Sequence, residues 1–357
     1  VRKIAWLVLI AALGCSGWFA WAVLTPVAPS GPTFVMLRPG YSTRRIAAEL
    51  RMNGIIRSED AFILWHYFHR RRSLKAGEYL FEKPANLIDI QKRLRRGDVY
   101  FHMVVVPEGF TMFDIARAIE AAGLGPAEEF LKVAQADTAL IADIAPGAQS
   151  LEGYLFPDTY QFSRMMSMQE MAAAMVKQFR QVARQIGMMP MPEGLAPAAQ
   201  NSPHLEIEIT HGTPDPNALP TELERTVIMA SIVEKETAVP EERPLVASVY
   251  YNRLEKKIAL DADPSIIYAE LLAGTYTGAL HHDDMRFNSA YNTYTHIGLP
   301  PGPIGNPGKS ALEAGMHPAQ SDYYYFVADA QGHHKFARTM AEHNKNVAAY
   351  RRAMRGQ

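Results

Sequence analysis

The sequence has one cysteine, Cys15, so neither an internal disulfide framework nor a cysteine zinc site can form within a single chain. It also lacks a surplus of either charge: 36 Lys and Arg face 37 Asp and Glu, a net charge of −1. Without a basic excess, the release of counterions that drives nucleic-acid binding is missing, and no nucleic-acid partner is expected. A G-x-S-x-G nucleophile turn, a phosphate loop and a dinucleotide fingerprint are absent. His281-His282, His333-His334 and His343 show no His-x-x-x-His spacing, so neither a metal nor another cofactor is expected. Residues 4–24 contain no charge at all, and no Lys or Arg follows until Arg38.

That uncharged run, IAWLVLIAALGCSGWFAWAVL, is long enough as a helix to cross roughly 30 Å of hydrocarbon. Arg2 and Lys3 precede it, so the positive-inside bias puts a short cytoplasmic stub first and everything after Leu24 outside. The expected topology is a single pass of the cytoplasmic (inner) membrane with an extracytoplasmic, periplasmic body. A cleaved signal segment is the alternative, and Ala12-Leu13-Gly14-Cys15 hints at a lipoprotein cleavage site, although the apolar run continues past the cysteine. Residues 25–32 (TPVAPSGP) read as a Pro-rich spacer that lifts the remainder off the membrane.

With 357 residues and 48% apolar content, two or three compact units are expected. A β-rich run, a turn at Pro39-Gly40 and a helix bearing Ile46, Ala47 and Leu50 come first, with Ser42 or Thr43 as N-cap. The same offsets return at Gly109, Ile115, Ala116 and Ile119, which suggests a duplicated strand-turn-helix unit or two ordinary ones. Between them an apolar helix (residues 62–68) leads into His69-Arg70-Arg71-Arg72 and Lys75. Such a basic run suits a solvated helix end or contact with anionic lipid or wall polymer. Residues 151–160 (LEGYLFPDTY) read as an ordered loop and 165–186 as a helix. Residues 187–220 read as an exposed insertion with a small hairpin at 205–209.

Thr221-Glu222-Leu223-Glu224 is a capping box directly before VIMASIVEKET, predicting a helix to about Thr237 that Pro240 closes. Glu236 follows Val233 by three and Ile232 by four, at the end of an apolar stripe, whereas Glu234 points about 200° away. A partly desolvated carboxyl at that place stays protonated near neutrality, as a general acid requires. Both glutamates could equally be surface residues. A second amphipathic helix covers PEERPLVASVYYNRLEKK. Asp261-x-Asp263 could in principle hold a divalent ion, but the pair is short and common. Residues 287–308 (FNSAYNTYTHIGLPPGPIGNPG) gather amides, hydroxyls and aromatic rings that suit carbohydrate, or form a purely structural loop.

The strings ASIVEKETAV, VYYNRL, DADPSIIY, AYNTYTHIGLPPGPIGNPG, YYYFVADAQGHHKF and EHNK, in this order, resemble the endolytic murein transglycosylase (MltG, or YceG-like) family. LEGYLFPDTY and the N-terminal apolar helix fit the same resemblance. It implies an α+β fold: a transmembrane helix in 1–26, a small LysM-like βα subdomain over 33–105, and a larger catalytic region over 106–350 with a helical core around the acid. Carried over by motif, the catalytic glutamate is Glu236, while Asn252, Asp263, Asn292 and Tyr294 would line the glycan cleft. The implied reaction cleaves the bond between N-acetylmuramic acid and N-acetylglucosamine in nascent strands, leaving 1,6-anhydro ends. Peptidoglycan glycan strands are the expected partner, with peptidoglycan synthases as candidate further ones. A non-catalytic wall-binding scaffold and a hydrolytic muramidase are the alternatives. Two departures stand out: Ala290 where the family pattern usually has proline, and the length of 187–220.

Overall fold

The computed structural model describes residues 2–69, 73–191, 212–215, 217–329 and 331–355. Arg70-Arg71-Arg72 and the hairpin expected at 205–209 lie outside the described residues. The fold is α+β, in two compact units: residues 1–103 with 161–166, and 104–160 with 167–357.

The first unit begins with α1 (Arg2–Leu24). Next come β1 (Thr33–Leu37), α2 (Thr43–Met52), α3 (Glu59–Phe68), β2 (Gly77–Phe81) and α4 (Leu87–Arg96). β1 and β2 pair antiparallel, from Thr33 opposite Phe81 to Leu37 opposite Gly77. Each short helix has a side-chain cap suited to its start: Ser42, Ser58 and Asn86 accept the backbone N–H of Arg45, Ala61 and Asp89. Their apolar stripes meet over the sheet in one core that includes Leu37, Leu50, Phe62, Tyr79 and Leu94.

Ala22 and Val23, in the last turn of α1, belong to that same core. The Pro-rich segment after them is not the free spacer expected from its composition. Val27 and Ala85 exchange backbone hydrogen bonds of 2.9 and 3.1 Å, and Arg57 Nη2 donates to the Pro26 carbonyl at 3.1 Å. Proline removes donors, but the intervening residues keep theirs, and a β-bridge uses them.

The chain leaves this unit within β3 (His102–Val105) and enters α5 (Met112–Ala121) and α6 (Ala127–Ala136). Gly109 adopts a left-handed turn, as does Gly40, and Thr111 caps α5 in a full capping box with Asp114. Ile115, Ala116 and Ile119 are buried, matching Ile46, Ala47 and Leu50 on α2, so the two strand-turn-helix segments agree in local form.

Beyond β4 (Thr159–Phe162), α7 (Met168–Gln185) spans most of the helix expected at 165–186. The second unit is organised around α8 (Glu222–Glu236), capped by Thr221 and Glu224 as its sequence requires. The amphipathic stretch after it divides into a 3₁₀ turn at Pro240–Glu242 and α9 (Arg243–Glu255). Next come α10 (Asp263–Ala273) and α11 (Lys309–Met316), which pack with α9 on α8. Residues 287–308 between them form no helix or strand. The antiparallel pair β5 (Tyr325–Ala328) and β6 (His334–Ala337) carries α12 (Met340–Arg355).

Candidate active site

Every residue from Thr226 to Val233 of α8 is buried, so this helix is a core element, and its last turn carries two glutamates. Its two terminal glutamates part there. Glu234 is enclosed: Arg243 Nη2 donates to Oε1 at 2.5 Å and the Gly308 N–H donates to Oε2 at 2.9 Å. Arg243, itself buried, also reaches Glu108 and Ser310. Burial pushes the Glu234 carboxyl up, and the Gly308 amide and Arg243 pull it down. With both oxygens occupied, Glu234 serves as an internal counter-ion.

Glu236 opens instead into a cleft of about 380 Å³. Tyr250, three residues before Arg253 on α9, donates its hydroxyl to Glu236 Oε1 at 2.8 Å. Desolvation raises the Glu236 carboxyl to about 7; the Tyr250 hydrogen bond opposes this, Asp263 adds to it and Arg253 opposes it. The group is therefore poised between its neutral and charged forms at neutral pH.

The cleft walls come from four more segments. Asp263, at the first turn of α10, accepts the Tyr294 hydroxyl at 2.6 Å, and both residues line the cavity. Arg253 braces the floor, donating to the carbonyls of Ala259, Leu260 and Tyr324 and to the Asp261 carboxylate. Asp261 has φ +53, a left-handed conformation unusual for a residue with a side chain, and the Arg253 contact holds it there. The Arg253 guanidinium lies 5.1 Å from the centre of the Tyr325 ring, which stacks on His343 at 5.4 Å. Desolvation and Arg253 depress the His343 imidazole below its ordinary value, favouring its neutral form.

Three of the five site residues expected from sequence, Glu236, Asp263 and Tyr294, thus meet in one cavity. The other two do not line it. Asn292 is fully buried, with Nδ2 donating to the Met285 and Phe287 carbonyls and Oδ1 accepting the Tyr294 N–H. Asn252 Nδ2 donates to the carbonyls of Ser321 and Tyr323. Both amides fasten the segments that present cleft residues, because loops without regular structure need side chains to satisfy their carbonyls. Tyr250, Arg253 and Tyr325 were not singled out from sequence, and His343 was weighed there only as a metal ligand. Tyr250 and Arg253 carried a local signal, a three-residue spacing that puts them on one face of α9.

Elsewhere in the second unit, Asn306 ties its own loop to the loops at Phe110 and at Glu152–Leu155. Its Oδ1 accepts the N–H groups of Gly153 and Leu155, and its Nδ2 donates to Phe110 O and Glu152 Oε1. Glu152 is fully buried, and desolvation raises it to about 8 against hydrogen bonds from the Met112 N–H, Tyr268 and Asn306. The LEGYLFP and GNPG strings therefore meet as a structural knot.

Fold and site together define a class: an α+β protein that offers one near-neutral carboxyl, at the end of a buried helix, to an aromatic-walled cleft. The chain belongs to the YceG-like family, whose model matches residues 35–349. It is 30% identical to the endolytic murein transglycosylase of Bacillus subtilis over 346 residues, covering 92% of this chain and 88% of that one. With the endolytic murein transglycosylase of Streptococcus pneumoniae the identity is 28% over 97% of this chain and 64% of the relative. A crystal structure of a YceG-like protein from Listeria monocytogenes superposes with a TM-score of 0.52 at 28% identity, covering 88% of this chain and 98% of that one.

Proposed function

We propose that this protein is an endolytic murein transglycosylase in which Glu236 is the acid and then the base. The observation that carries the assignment is the cleft-facing Glu236 carboxyl, raised to about 7, in a chain that aligns with transglycosylases over most of its length. Protonated Glu236 gives its proton to the glycosidic oxygen between N-acetylmuramic acid and N-acetylglucosamine as that bond breaks. The C6 hydroxyl of the muramyl unit attacks its own C1 through an oxocarbenium-like transition state, and the Glu236 carboxylate takes the hydroxyl proton. No water is consumed and one side chain suffices, because the nucleophile belongs to the substrate.

Tyr250 positions this acid. With its hydroxyl on Oε1, the carboxyl proton is left on Oε2, and the same hydrogen bond stabilises the carboxylate formed on transfer. Tyr294 and Asp263 offer a hydroxyl and an acceptor to the sugar, and Tyr325 offers a ring face. Asn252 and Asn292 act from behind by fixing the loops.

α1 is the membrane anchor in this reading, with the rest of the first unit and the whole of the second on the extracytoplasmic side; its length and apolar surface support this. The LysM-like assignment of residues 33–105 gives the first unit a wall-glycan-binding role. Peptidoglycan synthases are candidate partners on newly made strands.

Glu236→Gln tests the acid. On intact glycan strands the variant should lose roughly 10²–10⁴-fold in rate, while wild-type products carry anhydro ends one water lighter than hydrolytic ends. Full activity in the variant would overturn the role of Glu236. Reducing ends would point to a muramidase that uses a second carboxyl, for which Asp263 stands in the same cleft.

A further inference from the structure

The end of α1 is embedded in the first unit. Besides Ala22 and Val23 in the core, the Phe19 ring lies 6.4 Å from Trp65 of α3, and the Arg57 guanidinium sits 4.9 Å from the centre of Trp21. These contacts fix the depth of α3 once α1 spans a bilayer. At about 1.5 Å per residue the uncharged run 4–24 rises about 31 Å, close to the ~30 Å of hydrocarbon it must cross. Leu24 then lies at the outer hydrocarbon boundary, and Phe19, five residues earlier, about 7 Å below it. A side chain packed on Phe19 is held at that boundary or beneath it.

The outer surface of α3 has the composition for this place. Ala61 and Phe62 face the core, and Ile63 and Trp65 pack at its edge. Leu64, Tyr67 and Phe68 are 43%, 56% and 69% exposed. Spaced by three and four residues, these three form one apolar stripe. On a water-facing helix such a stripe leaves apolar area in contact with water, which the hydrophobic effect disfavours. Beside a membrane helix it matches an interfacial segment, with aliphatic and phenyl groups entering the acyl boundary and tyrosine at headgroup level.

We infer that α3 is a membrane-docking helix: Leu64, Tyr67 and Phe68 enter the outer leaflet of the bilayer that α1 crosses. The anchor therefore holds the first unit in contact with the lipid. This rests on the reading of α1 as a membrane span, and the lone cysteine allows the two ideas to be tested apart.

The full chain is reconstituted into phosphatidylethanolamine–phosphatidylglycerol vesicles with an environment-sensitive fluorophore on Cys15. In a Cys15→Ser background the fluorophore is placed instead on Leu64→Cys or Phe68→Cys, both exposed positions, and retained glycan cleavage verifies the fold. Cys15, near the middle of the run, should be quenched most by lipids carrying a nitroxide deep in the acyl chain. Positions 64 and 68 should show blue-shifted emission and lose most of it to nitroxides near the headgroup. Water-like, unquenched emission at 64 and 68 with Cys15 still quenched overturns the docking and leaves the anchor standing. Blue-shifted emission at 64 and 68 that no lipid quencher reaches means a protein surface covers the stripe, and also overturns it. An unquenched Cys15 removes the anchor itself.

Discussion

Two tyrosines give their hydroxyls to carboxyls in the cleft, Tyr250 to Glu236 and Tyr294 to Asp263, and both carboxyls act on one titration. The first step of the reaction needs Glu236 protonated, so kcat/KM should be flat in acid and fall as pH rises through about 7. Tyr250→Phe removes a hydrogen bond that favours the carboxylate. The descending limb should then move to higher pH, by about one unit for a charge-assisted bond, and the plateau should drop. Asp263→Asn removes a neighbouring anion and should move the limb the other way. Opposite displacements in the pH profile are something a purely structural role cannot produce; limbs that stay at the wild-type pH in both variants would sink the proposed control of the acid. At this scale the sequence distinguished little. Glu234 and Glu236 differed only in helix angle, because the partners that separate them, Arg243, Gly308 and Tyr250, lie 9, 74 and 14 residues away from the glutamate each one contacts.

Elements were more legible, since their signals are local. The capping box at Thr221 and the apolar run after it fixed α8 to within a residue at each end. The paired offsets around Gly40 and Gly109 located two similar turns and helices. Segments whose order comes from tertiary hydrogen bonds were misjudged. Residues 25–32 read as a spacer because proline and glycine make up half of their composition, and the bridge that orders them depends on Ala85, a residue outside any strand and more than fifty positions on. The end of α8 is set in the same non-local way, by Arg243 between Glu234 and Glu108. Removing that guanidinium leaves the Glu234 charge enclosed without its partner. Arg243→Ala should cost about 3–5 kcal/mol in chemical denaturation, well above the effect of Glu236→Gln, whose neutral side chain resembles the protonated acid. A loss under about 1 kcal/mol would show that the pair behaves as a surface contact.

For the whole chain, the ordered strings along the sequence pointed to the YceG-like family, and the match over residues 35–349 establishes it. The α+β class followed from the same strings. Residues 161–166 return to the first unit after an excursion through β3 to β4, a path that local patterning cannot reveal. A membrane anchor carries its own whole-molecule expectation. The full chain should stay with membranes through an alkaline carbonate wash, and an epitope placed after Gln357 should be reached by protease in spheroplasts without lysis. Recovery in the wash supernatant, or protection from protease, would contradict the proposed topology.

Asn306 also bears on the order in which the second unit assembles. Its side-chain bonds close loops of 151 to 196 residues, whereas α8 closes contacts within a few. Closing long loops costs chain entropy before any contact repays it, so such contacts form late. In pulse-labelled refolding, the amides of Gly109, Gly153 and Leu155, all bonded to Asn306, should become protected together and after those in the middle of α8. Protection of these three amides ahead of α8 would reverse that order. Recovery of glycan cleavage should follow the same late phase, because the acid rides on α8, and the chain segments packed around that helix acquire their final register when the amide of residue 306 docks.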